Sequence, residues 1–208
     1  MIRRTEIPPE ITRGDAQTVV ITVRHVGDSA RRNAAAEAAA AGREQGPWPG
    51  GLLSWSLFSS TDGRALMAYE QWADDGFLDV TLTAAVPHVQ GILGAEPSAP
   101  VRYRVHRSYV STAQKAPVGC VVTPVFDTDG PERRRHFISE VFAMTEDVAT
   151  MPGSIAAHVH TSVDGTRVFN YAEWRDEQSH IDAVTGEIPG VRPCGYRRWE
   201  LHNALVAA

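Results

Sequence analysis

The sequence predicts an α+β fold: two tandem ferredoxin-like units in one chain, each with the element order βαββαβ. Two observations support this prediction. First, a segment near position 50 recurs near position 150, and both copies show the same succession of apolar periodicities. Second, four anchors recur at a nearly constant offset: Pro49-Gly50 with Pro152-Gly153, Asp62-Gly63 with Asp164-Gly165, Tyr69 with Tyr171, and Trp72 with Trp174.

The elements of the first copy follow from a β-branched run, an alanine-rich stretch and turn signals. A Gly- and Pro-rich breaker, 46–51, separates the long helix from the next strand. Asp62-Gly63 suits the positive φ values of a tight hairpin turn, so the two flanking strands should pair antiparallel. The predicted elements are strand 18–26, helix 29–45, strands 52–59 and 64–72, helix 74–85 and strand 101–110.

The second copy repeats this order. Its long helix has Asp129 followed three residues later by Glu132, which suits a capping box, and Pro131 in its first turn. The helix also carries one apolar stripe at helical spacing. The predicted elements are strand 119–126, helix 132–150, strands 154–163 and 166–174, helix 176–184 and strand 195–205.

One such unit leaves an apolar sheet face uncovered, because both of its helices pack on the other face. Two copies can cover each other, so we expect an intrachain dimeric α+β barrel with the helices outside. The predicted organisation is an N-terminal arm at 1–16, a first domain at 17–111, a polar linker at 111–117 and a second domain at 117–208.

Composition and charge exclude several classes of function. Hydrophobic residues make up 43% of the chain and charged residues 22%, as in an ordinary folded domain. A net charge of −5 argues against nucleic acid or an anionic membrane as a partner. No apolar run is long enough for a membrane span, and the N-terminus has no leader pattern, so we expect a cytoplasmic protein. Cys120 and Cys194 are interpreted as buried thiols.

The motifs of nucleotide, flavin, zinc and serine-hydrolase sites are missing, so the sequence predicts no cofactor and no metal. The unusual feature is the strand that contains Asn170. Strand alternation puts Val168, Asn170, Ala172 and Trp174 on one face. A mid-strand asparagine is disfavoured and is costly when buried without a partner, so Asn170 is either a structural amide or a functional one.

Three histidines are candidates beside this strand. His180 follows Trp174 by six residues in the next helix, where it is either an exposed helix residue or a group that exchanges a phenolic proton. His158 and His160 share one strand face, a spacing that can bind a metal, but no third ligand is evident. We assign them, with Tyr171 and Trp72, to substrate binding.

The run from Pro152-Gly153 through the segment Asp164-Gly-Thr-Arg-Val-Phe-Asn-Tyr-Ala-Glu-Trp174 resembles the antibiotic biosynthesis monooxygenase family. The resemblance implies a dimeric α+β barrel that oxidises anthrone-like phenols with O2 and needs neither metal nor flavin. It also implies that Asn170 and Trp174 line the pocket and act on the substrate oxygens. A tyrosine of the family falls at His180, so the role of His180 as the base is inferred from its chemistry.

The resemblance is weaker in the first copy, where Ala68 stands at the position of Asn170. We therefore expect catalysis in the second domain, with the first domain as its structural partner. The expected ligands are a small aromatic molecule and O2, and a homo-oligomer is compatible with the sequence. Two alternatives stay open: a polyketide cyclase or non-catalytic binding protein of the same fold, and haem degradation.

Overall fold

The computed structural model describes residues 2–78, 99–112, 116–148, 151–184 and 196–207, with only the backbone for 141–148 and 184. Most of the predicted helix 74–85, part of the predicted linker, the start of strand 195–205 and Cys194 lie outside these residues. Of the predicted helix 74–85, the structure describes residues 74–78, and residues 76–78 are helical as expected. Cys120 is buried as expected.

The described secondary structure follows the predicted order within a few residues at each element end. It comprises β1 (Ile2–Thr5), β2 (Thr18–His25), α1 (Ser29–Gln45), β3 (Leu52–Ser60), β4 (Ala65–Trp72), β5 (Val101–Val110), β6 (Cys120–Val122), β7 (Val125–Asp127), α2 (Gly130–Val148), β8 (Ser154–Ser162), β9 (Arg167–Trp174), α3 (Glu177–Val184) and β10 (Arg198–Ala207).

Two differences from the predicted elements have clear reasons. The predicted N-terminal arm contains β1, which pairs with β10. The predicted strand 119–126 is split into β6 and β7, although both pair with β9 in one continuous register. Pro124 lies in the gap and has no N–H to give to the ladder, so only its carbonyl takes part there, accepting from the backbone N–H of Asn170.

By compactness the chain divides into Met1–Tyr103 with Glu200–Ala208, the first unit, and Arg104–Trp199, the second unit. The division falls within β5 and within β10, whereas the domain limits 17–111 and 117–208 followed the sequence repeat. Those limits stay a prediction.

The first unit has the strand order β1-β10-β3-β4-β2-β5, which contains the ferredoxin-like order β3-β4-β2-β5. β3 and β4 are joined by the predicted tight turn, where Gly63 has a φ of 75°. Helix α1 begins after Asp28, whose side chain accepts from the backbone N–H of Arg31, and it buries Ala35 and Ala36 against the sheet.

The second unit has the order β5-β8-β9-β6, with β7 also on β9 and the start of β10 on β6. Gly165, with a φ of 76°, closes the β8–β9 hairpin, as its counterpart does in the first unit. Ile138 of α2 packs on Val159 and Val168, and the cluster around Trp174 receives Ala183 of α3. The α+β class and the ferredoxin-like topology are thus confirmed. None of the described helices has the length and apolarity of a membrane span.

Candidate functional site

Strand β9 divides the predicted site residues between two faces of the second unit's sheet. The helix-covered face carries Val168, Asn170 and Trp174, since Val168 packs against α2 and Trp174 against α3. On the opposite face Tyr171 lies directly across from His158, and Phe169 across from His160. The sheet therefore separates the predicted catalytic residues from the predicted substrate-binding residues.

Trp174 brings an unused donor into the interior. Its side chain is 3% exposed and packs with Cys120 and Tyr196. The indole Nε1 is buried and has no hydrogen-bond partner among the described residues. An unpaired buried N–H costs roughly 1–3 kcal/mol, so this donor calls for a partner beyond the described residues.

His180 is held beside Trp174 by the start of α3. Asp176 caps this helix by accepting from the backbone N–H and the hydroxyl of Ser179, both at 2.7 Å. Gly153 lets the helix approach closely, because a Cβ atom at this glycine would lie 2.4 Å from the Cβ of Ser179. The imidazole of His180 meets the Trp174 ring edge to face, with centroids 5.1 Å apart.

One hydrogen bond to His180 bears on the role expected for it. The Nε–H of Arg198 donates to His180 Nδ1 over 3.0 Å, so the lone pair of Nδ1 is occupied. Burial, and then the positive charge of Arg198, lower the pKa of His180 to about 4. At neutral pH this imidazole is a neutral group that carries its proton on Nε2, which suits a hydrogen-bond donor better than a base.

Asn170 supplies a second unused polar atom on the same face. Its side chain is half-buried, and its Oδ1 is buried without a hydrogen-bond partner in the described part of the chain. Its backbone N–H donates to the carbonyl of Pro124 over 3.0 Å. Four residues along a strand span roughly 13 Å, so Asn170 and Trp174 lie at the two ends of an elongated surface.

The predicted substrate-binding residues of the opposite face are largely used by the fold. His158 Nδ1 lies 2.8 Å from Ser108 Oγ, and His160 Nδ1 lies 2.9 Å from the carbonyl oxygen of His158. Burial lowers the pKa of His158 to about 4 and that of His160 to about 3. Tyr171 is fully buried. A role for these three side chains in substrate binding stays a prediction.

Trp72 belongs to the first unit, where its surroundings differ from those of Trp174. Its Nε1 donates to Glu70 Oε2 over 3.3 Å, and Glu70 pairs with Arg43 at 2.9 Å. Ala172 occupies the position of Glu70 in the second copy, and Leu78 occupies the position of His180 in the first. The indole N–H of Trp72 is thus bound to a carboxylate, and a role for Trp72 in substrate binding stays a prediction.

Sequence reasoning missed Arg198, Glu70 and Glu173. Glu70 could have been found, since a carboxylate two residues before a strand tryptophan shares its face. Arg198 follows His180 by eighteen residues, and no local pattern connects them. Burial raises the pKa of Glu173, on the opposite face of β9, to about 7. Within the described residues, no three His, Cys, Asp or Glu side chains form a cluster that could hold a metal ion.

Comparison with known proteins assigns the region that contains this site. Residues 130–187 match the family model described as antibiotic biosynthesis monooxygenase. This segment is similar to antibiotic biosynthesis monooxygenases. The curated tetracenomycin-F1 monooxygenase of Streptomyces glaucescens is 44% identical over 48 residues, which are 23% of this chain and 43% of that protein. The chain thus aligns with less than half of that relative's length.

Solved structures share the fold over nearly the whole chain. An anthrone oxidase-like protein matches with a TM-score of 0.75 at 14% identity, covering 92% of this chain and 93% of its own. A candidate monooxygenase from Fusobacterium nucleatum subsp. nucleatum matches with a TM-score of 0.58 at 13% identity, covering 92% and 94%. At these identities the likeness shows the fold alone.

Proposed function

We propose that the second unit is a cofactor-independent monooxygenase that oxidises a polycyclic phenol or anthrone to a quinone with O2. The observation that carries the proposal is a pair of buried polar atoms, Trp174 Nε1 and Asn170 Oδ1, on one sheet face, neither of which has a hydrogen-bond partner among the described residues. The first can donate to a substrate oxygen, and the second can accept from a substrate hydroxyl. Their separation along β9 suits an extended aromatic molecule with oxygens at both ends.

The reaction needs no redox group from the protein, because an electron-rich phenolate can itself reduce O2. For an anthrone, the carbon between the rings loses two hydrogens and gains one oxygen atom. The O–O bond breaks, one oxygen stays as the new carbonyl, and the other leaves as water with the two hydrogens. One O2 is consumed for each quinone formed.

The residues then act by orientation and electrostatics. The Trp174 N–H stabilises negative charge on the substrate oxygen, and the indole provides an apolar wall. Asn170 fixes the register by accepting from a hydroxyl at the other end of the substrate. Burial of the site removes water from the charged substrate and strengthens both contacts.

The relatives support this chemistry by name, since the matched curated protein is a monooxygenase and one fold neighbour is anthrone oxidase-like. The first unit is proposed to be a structural partner without catalysis. Its counterpart of Asn170 is Ala68, and its indole donor is bound to Glu70.

The experiment is aerobic incubation of the full chain with anthrone or a naphthol, without added metal or flavin, while O2 uptake and quinone formation are measured. With 18O2 we expect one labelled oxygen in each quinone. Asn170→Ala should lower kcat/KM by roughly 10- to 100-fold, and Glu140→Gln on the exposed face of α2 is the matched control. Conversion of a ligand without O2 uptake, or binding without conversion, would favour the cyclase or binding alternative.

A further inference from the structure

The environment of His180 is set by side chains from β9, from the start of β10 and from the segment just before β10. Arg198 at the start of β10 donates to Nδ1, the ring of Tyr196 lies with its centroid 5.3 Å from the imidazole centroid, and Trp174 of β9 covers another side. The carboxylate of Glu177 pairs with this arginine, with its Oε1 3.8 Å from Nη1 of Arg198. The hydrogen bond to His180 therefore comes from a cation, and its two ring contacts come from aromatic side chains.

A guanidinium has only donors and keeps its charge at every physiological pH. An imidazole nitrogen that accepts a hydrogen bond from a guanidinium N–H must offer a lone pair. Nδ1 of His180 is therefore unprotonated, and the proton of the neutral ring is on Nε2. Protonation of Nδ1 would break this bond and would bring two cations together. Arg198 therefore selects one tautomer and opposes the imidazolium form.

Two N–H donors then belong to one buried cluster, Nε1 of Trp174 and Nε2 of His180. Donors of this kind stabilise an oxyanion but do not remove a proton. Among the described side chains around His180 and Arg198, the carboxylate of Glu177 is paired with Arg198 and is therefore not offered to substrate as a base.

We propose that Arg198 is a positioning residue that holds His180 as an Nε2–H donor, so that the site selects substrates that bind as phenolates. This inference rests on the proposed function. It narrows the substrate class to acidic phenols, whose hydroxyl ionises near the working pH, and it assigns proton removal to solvent before or during binding.

The first test is nuclear magnetic resonance of 15N-labelled histidine in the full chain, with His180→Gln used to identify the His180 signals. The wild type should show the Nε2–H tautomer and no protonation of His180 down to about pH 5. Arg198→Met should raise the pKa of His180 by at least one unit, whereas Arg198→Lys should leave the Nε2–H tautomer in place. An Nδ1–H tautomer in the wild type, or an unchanged pKa in Arg198→Met, would overturn the inference.

The second test is turnover against pH with two phenols of different acidity. The rise of kcat/KM should follow the pKa of each substrate, and Arg198→Met should add an inflection at least about one pH unit above the pKa of about 4 that His180 has in the wild type. His180→Phe should lose roughly 100-fold in kcat/KM, while His180→Gln, which keeps a donor, should keep at least about tenfold more activity than the phenylalanine variant. Equal loss in both variants, or one inflection shared by both substrates, would contradict the donor role.

These tests separate two kinds of failure. If the wild type takes up no O2 with any phenol, the proposed function fails, while the tautomer of His180 and its dependence on Arg198 are still measured. If O2 uptake is seen but the tautomer is Nδ1–H, the oxygenase proposal stands and the positioning role of Arg198 is refuted.

Discussion

The indole N–H of Trp72 donates to the carboxylate of Glu70, two residues before it on the same strand and 3.3 Å away. The repeat keeps the tryptophan, as Trp174, and replaces the glutamate by Ala172. One indole is thereby bound within its own unit, whereas the other has a buried N–H without a described partner. This difference is why we propose catalysis in the second unit.

Trp174→Phe should lower kcat/KM by about 100-fold, because it removes the donor to the substrate oxygen and keeps an aromatic wall. The matched control is Trp199→Phe in the same unit, where the lost N–H donates to Thr123 over 2.7 Å. That control should cost about 1 kcal/mol in the free energy of unfolding with little change in kcat/KM. Steady-state kinetics and denaturant unfolding measure the two effects, and similar kinetic losses in both variants would count against the proposed donor.

Ala172→Glu should reproduce in the second unit the contact that Glu70 makes in the first. The new carboxylate would accept from the Trp174 N–H and repel a substrate anion, so substrate affinity should fall by at least about tenfold. Ala172→Gln has the same length without the charge, and its loss should be smaller. Substrate titration measures this difference, and equal affinities of the two variants would argue against an anionic substrate.

Glu173→Gln should stabilise the protein at high pH. The folded pKa of Glu173 is about 7 and the ordinary value is 4.5, so the unfolded chain releases this proton first as the pH rises. The free energy of unfolding therefore falls between pH 4.5 and 7 and stays reduced above that range, and glutamine removes this loss. We expect a gain of roughly 1–3 kcal/mol at pH 8 and little at pH 4, measured by denaturant unfolding.

The control for this prediction is Glu140→Gln on the exposed face of α2, which should shift the free energy of unfolding by less than about 0.5 kcal/mol at either pH. A gain for Glu173→Gln that is equal at both pH values would mean that ionisation of Glu173 is not its cause.

Gly153→Ala should be more damaging than Gly130→Ala, although both glycines have a positive φ, 89° and 87°. A Cβ atom at residue 153 would lie 2.4 Å from the Cβ of Ser179, whereas at residue 130 nothing lies within 4 Å. Gly130→Ala should cost about 1–2 kcal/mol from the backbone alone. Gly153→Ala should cost more and should also lower turnover, because α3 must move and carries His180 with it. Thermal unfolding and turnover of the two variants test this, and equal behaviour would refute the close approach.

The faces of β9 could be predicted from the sequence, whereas the surroundings of His180 could not. Strand alternation correctly put Asn170 and Trp174 on one face, because the period of two is a local property of extended backbone. The same alternation assigns Tyr171 to the opposite face, where its role in substrate binding stays a prediction. The base role of His180 depended on its neighbours, and Arg198 reverses the direction of its hydrogen bonding.

The sequence by itself determined the repeat, the order of strands and helices, and the hairpin turns at Asp62-Gly63 and Asp164-Gly165, because each depends on residues a few positions apart. Only the tertiary structure decided that Arg198 meets His180, that β5 and β10 are each divided between the compact units, and which buried polar atoms have no described partner. Such contacts depend on packing between distant segments, for which periodicity carries no information.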